Sequence, residues 1–137
     1  MQYRIAILGS GSWATALAKI VLTNQTEINW FIRRQEAIDE FVATGKNPSY
    51  LGMAEFDVSR IHFSTDINKV VSQSDVLILA IPSPYVKQSL NKIRRNMTRK
   101  IVISAVKGMI PDDNMLVTDY LHTRFRIPTE QLGIIAG

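Results

Sequence analysis

An α/β fold, a doubly wound and mainly parallel sheet of about six strands with helices on both faces, is predicted by three observations. Short apolar runs of strand character alternate with segments of helical periodicity along the whole chain. One run, Ser74 to Ile81, is almost wholly apolar, as a strand buried on both faces at the centre of a parallel sheet must be. The first run, Tyr3 to Leu8, breaks into Gly9-Ser10-Gly11-Ser12-Trp13-Ala14 directly before an alanine-rich helical segment, Ala14 to Leu22.

That last pattern is the G-x-G-x-x-G/A fingerprint of a Rossmann-type dinucleotide fold in its required strand-to-helix context. Gly9 lets the chain turn sharply out of the strand. Gly11 removes a side chain where a diphosphate approaches the backbone, and Ala14 keeps the helix close to the sheet. The helix start then offers unpaired amides and the positive end of its dipole, and Gly9, Ser10, Gly11, Ser12, Trp13 and Ala14 are the cofactor-binding candidates of this turn. An ordinary strand-to-helix turn would have glycines too, but not this spacing and context together.

At 137 residues, 46% hydrophobic and 20% charged, the chain suits one globular domain and is not a disordered segment. It has no cysteine, which excludes disulfides and thiolate metal sites and fits a reducing compartment. Arg4 and Gly9 interrupt the first apolar run far short of a spanning length, so a soluble, cytoplasmic protein without membrane insertion is expected. The net charge of +4 comes from scattered residues, apart from Arg33-Arg34 and a cluster from Lys92 to Lys100. The cluster falls where a helix end is predicted, so no nucleic-acid partner is inferred; a phosphorylated small molecule and a dinucleotide account for the excess.

Ile28 to Ile32 is the second predicted strand, ending at Arg33 and Arg34. An acid usually stands about 20 residues beyond the glycines to accept the ribose 2′-hydroxyl, and arginine there receives a 2′-phosphate. Both arginines are therefore cofactor candidates, compatible with NAD or NADP and leaning toward the phosphorylated form. Gln35 to Thr44 is a helix with Ala37, Ile38, Phe41 and Val42 on one side, stopped by Gly45. Ile61 to Ser64 is a third strand, and Thr65-Asp66 caps a short helix through Val71.

The fourth strand, Ser74 to Ile81, lies beside the first across the crevice where ligands bind, so Pro82 and Tyr85 are placed to touch the dinucleotide. For Tyr85, helix-end packing is the equal alternative. A helix from about Tyr85 to Asn96 leads to the fifth strand, Lys100 to Ala105, which delivers Lys107 and Gly108. A lysine at that strand end can hydrogen-bond a carbonyl or alkoxide oxygen, a capacity that partial burial tunes. Pro111 to Asn114 opens a helix running to about Phe125, and Gln131 to Ala136 is the sixth strand. His62 and His122 are read as structural, and no metal site is predicted.

With Trp13 in the glycine turn, Asn47-x-x-Tyr50-Leu51-Gly52, Pro82-Ser83 and Lys107-Gly108 in order, the chain resembles the nicotinamide domain of NAD(P)-dependent glycerol-3-phosphate dehydrogenase over essentially its full length. Ala14 replaces the family's usual glycine, and Gly52-Met53 its usual proline-glycine step. The resemblance implies reversible hydride transfer between a nicotinamide and C2 of dihydroxyacetone phosphate, giving sn-glycerol 3-phosphate for phospholipid synthesis. It implies cofactor contacts at Ser12, Trp13 and Arg33, a catalytic Lys107 touching cofactor and substrate, and a substrate contact at Gly137, the first residue of a Gly-Pro-x-x-Ala segment. It also implies a second, helical domain carrying the principal proton-transferring lysine. On this reading residues 1–137 are the dinucleotide-binding domain alone, binding cofactor weakly and turning over poorly by itself, and a homodimer of the full-length protein is compatible with it.

Two other classes share the glycine turn. A non-catalytic nucleotide sensor would have no need of Lys107, and a 3-hydroxy acid dehydrogenase would not be expected to combine Trp13 with the Asn47 segment. A kinase-type loop would need G-x-x-x-x-G-K-[ST], which is absent from the sequence.

Overall fold

A computed structural model describes residues 3–48, 54–111 and 113–135. The chain alternates strand and helix: β1 (Ile5–Leu8), α1 (Ser12–Val21), β2 (Ile28–Phe31), α2 (Gln35–Thr44), β3 (Ile61–Ser64), α3 (Ile67–Ser72), β4 (Val76–Leu79), α4 (Ser83–Leu90) and β5 (Ile101–Ser104). A small hairpin follows, β6 (Met109–Ile110) and β7 (Met115–Leu116), then α5 (Val117–Phe125) and β8 (Leu132–Ile134). Six strands form one sheet in the order β3-β2-β1-β4-β5-β8, every neighbouring pair parallel. The order reverses between β1 and β4, the hallmark of a doubly wound sheet.

Side chains alternate across each strand and so build two cores. Ile7, Trp30 and Ile78 face α1 and α2 in one core, with Ala14, Leu17, Ile38 and Phe41. Ala6, Leu8, Leu77 and Leu79 face α3, α4 and α5 in the other, with Val70, Val86, Leu90 and Leu121. All four residues of β4 are buried, as its apolar run requires. Around Trp30 the rings of Phe41 and Phe56 meet it edge-on at 5.3 and 5.6 Å, and Phe63 lies stacked at 5.9 Å. Such geometry adds about 0.5–1.5 kcal/mol per pair beyond area burial, so the β2–β3–α2 corner is stiff.

Helix ends follow local chemistry. Gly45 closes α2 in the left-handed region at φ 72°, donating to Phe41. The Asp66 carboxylate accepts from the amides of Asn68 and Lys69 at the start of α3. Arg60 donates to the carbonyls of Leu22, Gln25 and Thr26, tying off the exit of α1.

Three local expectations need correction. Val42 is exposed, because α2 turns only Ile38 and Phe41 fully inward and leaves Ala37 half-buried. The fourth helix ends at Leu90 rather than Asn96: the Asn68 side chain accepts from the Arg94 amide at 2.6 Å and donates to the Lys92 carbonyl at 2.9 Å, taking backbone groups that a continuing helix would use. Ile93 and Met97 are buried from irregular backbone, so their helical spacing is misleading. Pro111 and Asn114 do not open a helix but lie in the turn of the β6–β7 hairpin, with Asn114 at φ 50°, and α5 starts at Val117. The sixth sheet strand stands where expected, shortened to Leu132–Ile134.

Candidate functional site

Leu8 pairs with Leu79, so the carboxyl ends of β1 and β4 stand side by side while α1 and α4 leave to opposite faces. The backbone between them is crowded on one side and open on the other. Gly9 has φ +125°, and a Cβ there would stand 2.4 Å from the Ala80 carbonyl oxygen; only glycine fits. At Gly11 a Cβ would meet nothing within 4 Å, so the protein itself does not require glycine there. What Gly11 preserves is room outside the chain. Ala14 is fully buried between α1 and the sheet, which is the close packing its small side chain allows.

The first intrahelical amide bond of α1 runs from Thr15 to Gly11 at 3.0 Å. The amides of Ser12, Trp13 and Ala14 precede it and have no acceptor within the helix, so the turn presents donors and a positive dipole end.

Two hollows meet at this turn and share Gly11, Ile81 and Pro82. The larger, about 610 Å³, is lined by Ser12, Trp13, Ser83, Val106 and Lys107. The smaller, about 240 Å³, is lined by Ser10, Arg33, Tyr85, Ser89 and Lys92. Together they make a crevice of the size that holds a drug-sized or larger ligand, at the topological switch point. Trp13 is half-buried, and Lys107 is exposed at the mouth, without the partial burial expected of it. Among the described residues nothing holds the Lys107 ammonium in an ion pair or hydrogen bond. Gly108 follows at φ 82°, bending the chain away after the lysine.

The structure thus brings together Gly9, Ser10, Gly11, Ser12, Trp13, Arg33, Pro82, Tyr85 and Lys107. It separates Arg34, which is exposed but lines neither hollow. Residue 34 is in extended backbone at φ −105°, ψ 125°, where consecutive side chains point to opposite sides, so Arg33 facing the crevice turns Arg34 away. Gly137 and the segment Tyr50-Leu51-Gly52 lie outside the described residues.

Lys92 was not singled out from the sequence. Its signal was there: Tyr85, Ser89 and Lys92 recur at helical spacing, so one side of α4 and its exit faces the crevice. Reading Lys92 with its basic neighbours as a solvated helix end hid it. His62 is exposed, its Nε2 3.2 Å from the Glu27 carboxylate, and His122 places Nδ1 2.8 Å from the Ile127 carbonyl at the end of α5; neither lines the crevice.

Displaced titrations lie at the other end of the sheet. Hydrogen bonds from the side chain and amide of Arg4 hold the Asp75 carboxyl below its ordinary range. Burial pushes the Lys100 ammonium down, partly offset by Asp75. Among the described residues no group of three His, Asp or Glu could hold a metal ion, and no helix is long and apolar enough to cross a membrane.

A family profile described as NAD-dependent glycerol-3-phosphate dehydrogenase N-terminus matches residues 4–137. The chain belongs to this family. Among its relatives, the glycerol-3-phosphate dehydrogenase (NAD(P)+) of Bacillus pumilus (strain SAFR-032) is 28% identical over 129 residues, covering 93% of this chain and 36% of that protein. The corresponding protein of Malacoplasma penetrans (strain HF-2) is 31% identical over 126 residues, covering 88% and 36%. The chain therefore spans about a third of the length of these curated relatives. The solved structure of Plasmodium falciparum glycerol-3-phosphate dehydrogenase superposes with a TM-score of 0.82 at 28% identity, covering 98% of this chain and 40% of that one. The enzyme from Coxiella burnetii, also at 0.82 with 22% identity, shows the same fold.

Proposed function

We propose that this domain holds a nicotinamide dinucleotide, NAD or NADP, across the crevice, within a protein that interconverts dihydroxyacetone phosphate and sn-glycerol 3-phosphate for phospholipid synthesis in the cytoplasm. One observation carries the reading: two hollows, one with Arg33 and Lys92 and one with Trp13 and Lys107, meet over a glycine whose missing Cβ leaves open space at a helix start. A two-part ligand joined by a diphosphate has that shape and charge.

When bound, the cofactor supplies the hydride. The amides after Gly9 hold the diphosphate, and Gly11 lets it approach. Arg33 and Lys92 attract the adenosine end, where a 2′-phosphate finds two cations and a bare ribose finds a guanidinium to stack beside adenine. Pro82 walls both parts, and Tyr85 walls the adenosine end. Lys107 offers its ammonium to the substrate carbonyl and stabilises the oxygen as it gains negative charge, and Gly137 contributes to the substrate side. Protonation of the oxygen belongs to a lysine of the second domain that the family resemblance implies.

The test is made on the full-length protein. Titration with NADH and NADPH followed by nicotinamide fluorescence should show saturable binding, and Lys107→Ala should lower turnover while leaving cofactor affinity near wild type. Unchanged turnover in that variant would overturn the catalytic assignment, and a full-length protein that binds NADH but does not turn over dihydroxyacetone phosphate would favour a nucleotide sensor.

A further inference from the structure

We infer that Trp30, Asn47 and Thr15 are positioning residues for the diphosphate, three buried donors that each bind one of the three consecutive carbonyls of the glycine turn and so leave only amides facing the crevice. The inference rests on the dinucleotide reading of that crevice.

The geometry is complete carbonyl by carbonyl. Trp30 Nε1–H donates to the Gly9 oxygen at 2.6 Å, Asn47 Nδ2 to the Ser10 oxygen at 2.8 Å, and Thr15 Oγ1 to the Gly11 oxygen at 2.8 Å. The three donors come from β2, from the segment after α2 and from the first turn of α1. Trp30 and Thr15 are 0% exposed and Asn47 is 3% exposed. Asn47 Nδ2 also donates to Thr15 Oγ1 at 2.7 Å. A hydroxyl has one proton, and Thr15 spends it on Gly11, so it must accept from Asn47. Both neighbours of Asn47 Nδ2 therefore require a donor, and the amide has a single workable orientation.

The physical consequence follows from charge. A carbonyl oxygen swung toward the crevice would repel a diphosphate and would turn its peptide N–H inward. The glycines make such peptide rotation easy, since they restrict the backbone least. Side-chain donors at Gly9 and Ser10, and the Thr15 amide together with its hydroxyl at Gly11, remove that alternative without placing a formal charge beside the ligand. Burial of a tryptophan, an asparagine and a threonine explains why each needs a partner. It does not explain why Trp30 and Asn47, 21 and 37 residues away, take successive carbonyls of one turn, while Thr15, whose hydroxyl bonds the carbonyl four residues before it as helical threonines do, also holds Asn47. The aromatic contacts of Trp30 with Phe41, Phe56 and Phe63 keep the indole in place, and with it the first of the three bonds.

ADP and adenosine, titrated as competitors of NADH against the full-length protein, separate phosphate holding from general integrity. Asn47→Asp replaces the donor with a carboxylate facing carbonyl oxygen, and Thr15→Val removes the hydroxyl at constant shape. Each should weaken ADP about tenfold while adenosine shifts by less than about twofold, and Thr15→Ser should bind ADP as wild type does. The inference is overturned if folded variants bind ADP unchanged, or if ADP and adenosine fall in parallel. Should Asn47→Asp not fold, the Thr15→Val and Thr15→Ser pair decides alone. A wild-type protein that binds NADH but whose variants are unaffected refutes only the positioning role; one that binds neither NADH nor ADP refutes the cofactor reading and this inference with it.

Discussion

Gly9 is pressed so closely against Ala80 that a methyl group on it would sit 2.4 Å from the Ala80 carbonyl oxygen and 2.8 Å from its carbon, whereas the same group on Gly11 would touch nothing. The two glycines of one motif therefore serve different ends, and their alanine variants should separate. Gly9→Ala should destabilise the fold by about 2–4 kcal/mol, through backbone collision and a positive φ. Gly11→Ala should change stability by less than about 0.5 kcal/mol and weaken NADH binding at least tenfold, since its Cβ enters the space left for the diphosphate. Thermal unfolding and cofactor titration of both variants check this; a stable Gly9→Ala protein would contradict it.

Arg33 and Lys92 both line the smaller hollow. Arg33→Ala and Lys92→Ala should each weaken NADPH more than NADH, by about tenfold if the 2′-phosphate loses one charge-assisted bond, and Arg34→Ala should do neither. Raising the salt concentration should narrow the difference between the two cofactors. Equal losses for NADH and NADPH would show that the cations do not read the phosphate.

Lys107 stands at the mouth of the larger hollow. In the full-length protein, Lys107→Ala should lower kcat by about a hundredfold, the scale of removing one group that faces developing negative charge. Lys107→Arg should recover only part of the loss, because a planar fork replaces a point charge. Steady-state kinetics with dihydroxyacetone phosphate give the answer, and a loss confined to KM would place the lysine in substrate binding alone.

Far from the crevice, Arg4 donates to Asp75 through its amide at 2.9 Å and through Nε and a terminal nitrogen at 3.3 Å. The Asp75 carboxyl is consequently held below its ordinary value, so the native state binds its proton less readily than the unfolded chain. The stabilisation is present above the ordinary carboxylate pKa and is lost as pH falls through the lowered native value. Both groups are substantially exposed, at 60% and 37%, so the effect is about 0.2–1 kcal/mol. Asp75→Asn should flatten the acid limb of a stability-against-pH curve by that amount and leave cofactor affinity unchanged.

The residue pattern alone determined the parts whose cause is local. An apolar run of strand length bounded by turn signals suits the centre of a parallel sheet, and β4 is there; a glycine turn between a strand and a helix marks an open helix start, and the crevice lies there. The edges of α2 and β3 follow from Gly45 and from strand composition in the same way. Tertiary structure decided whatever depends on a distant partner. Asn68, from α3, stops α4 by capturing the backbone of Lys92 and Arg94, and the register of Met109 with Leu116 makes a hairpin where helix signals stood. The extended backbone before α2 turns Arg33 into the crevice and Arg34 out, and the fold brings Lys92 to the same hollow that Arg33 lines. Periodicity records which face of an element is apolar, but hydrogen bonds between segments tens of residues apart select which polar groups converge, and no local spacing encodes them.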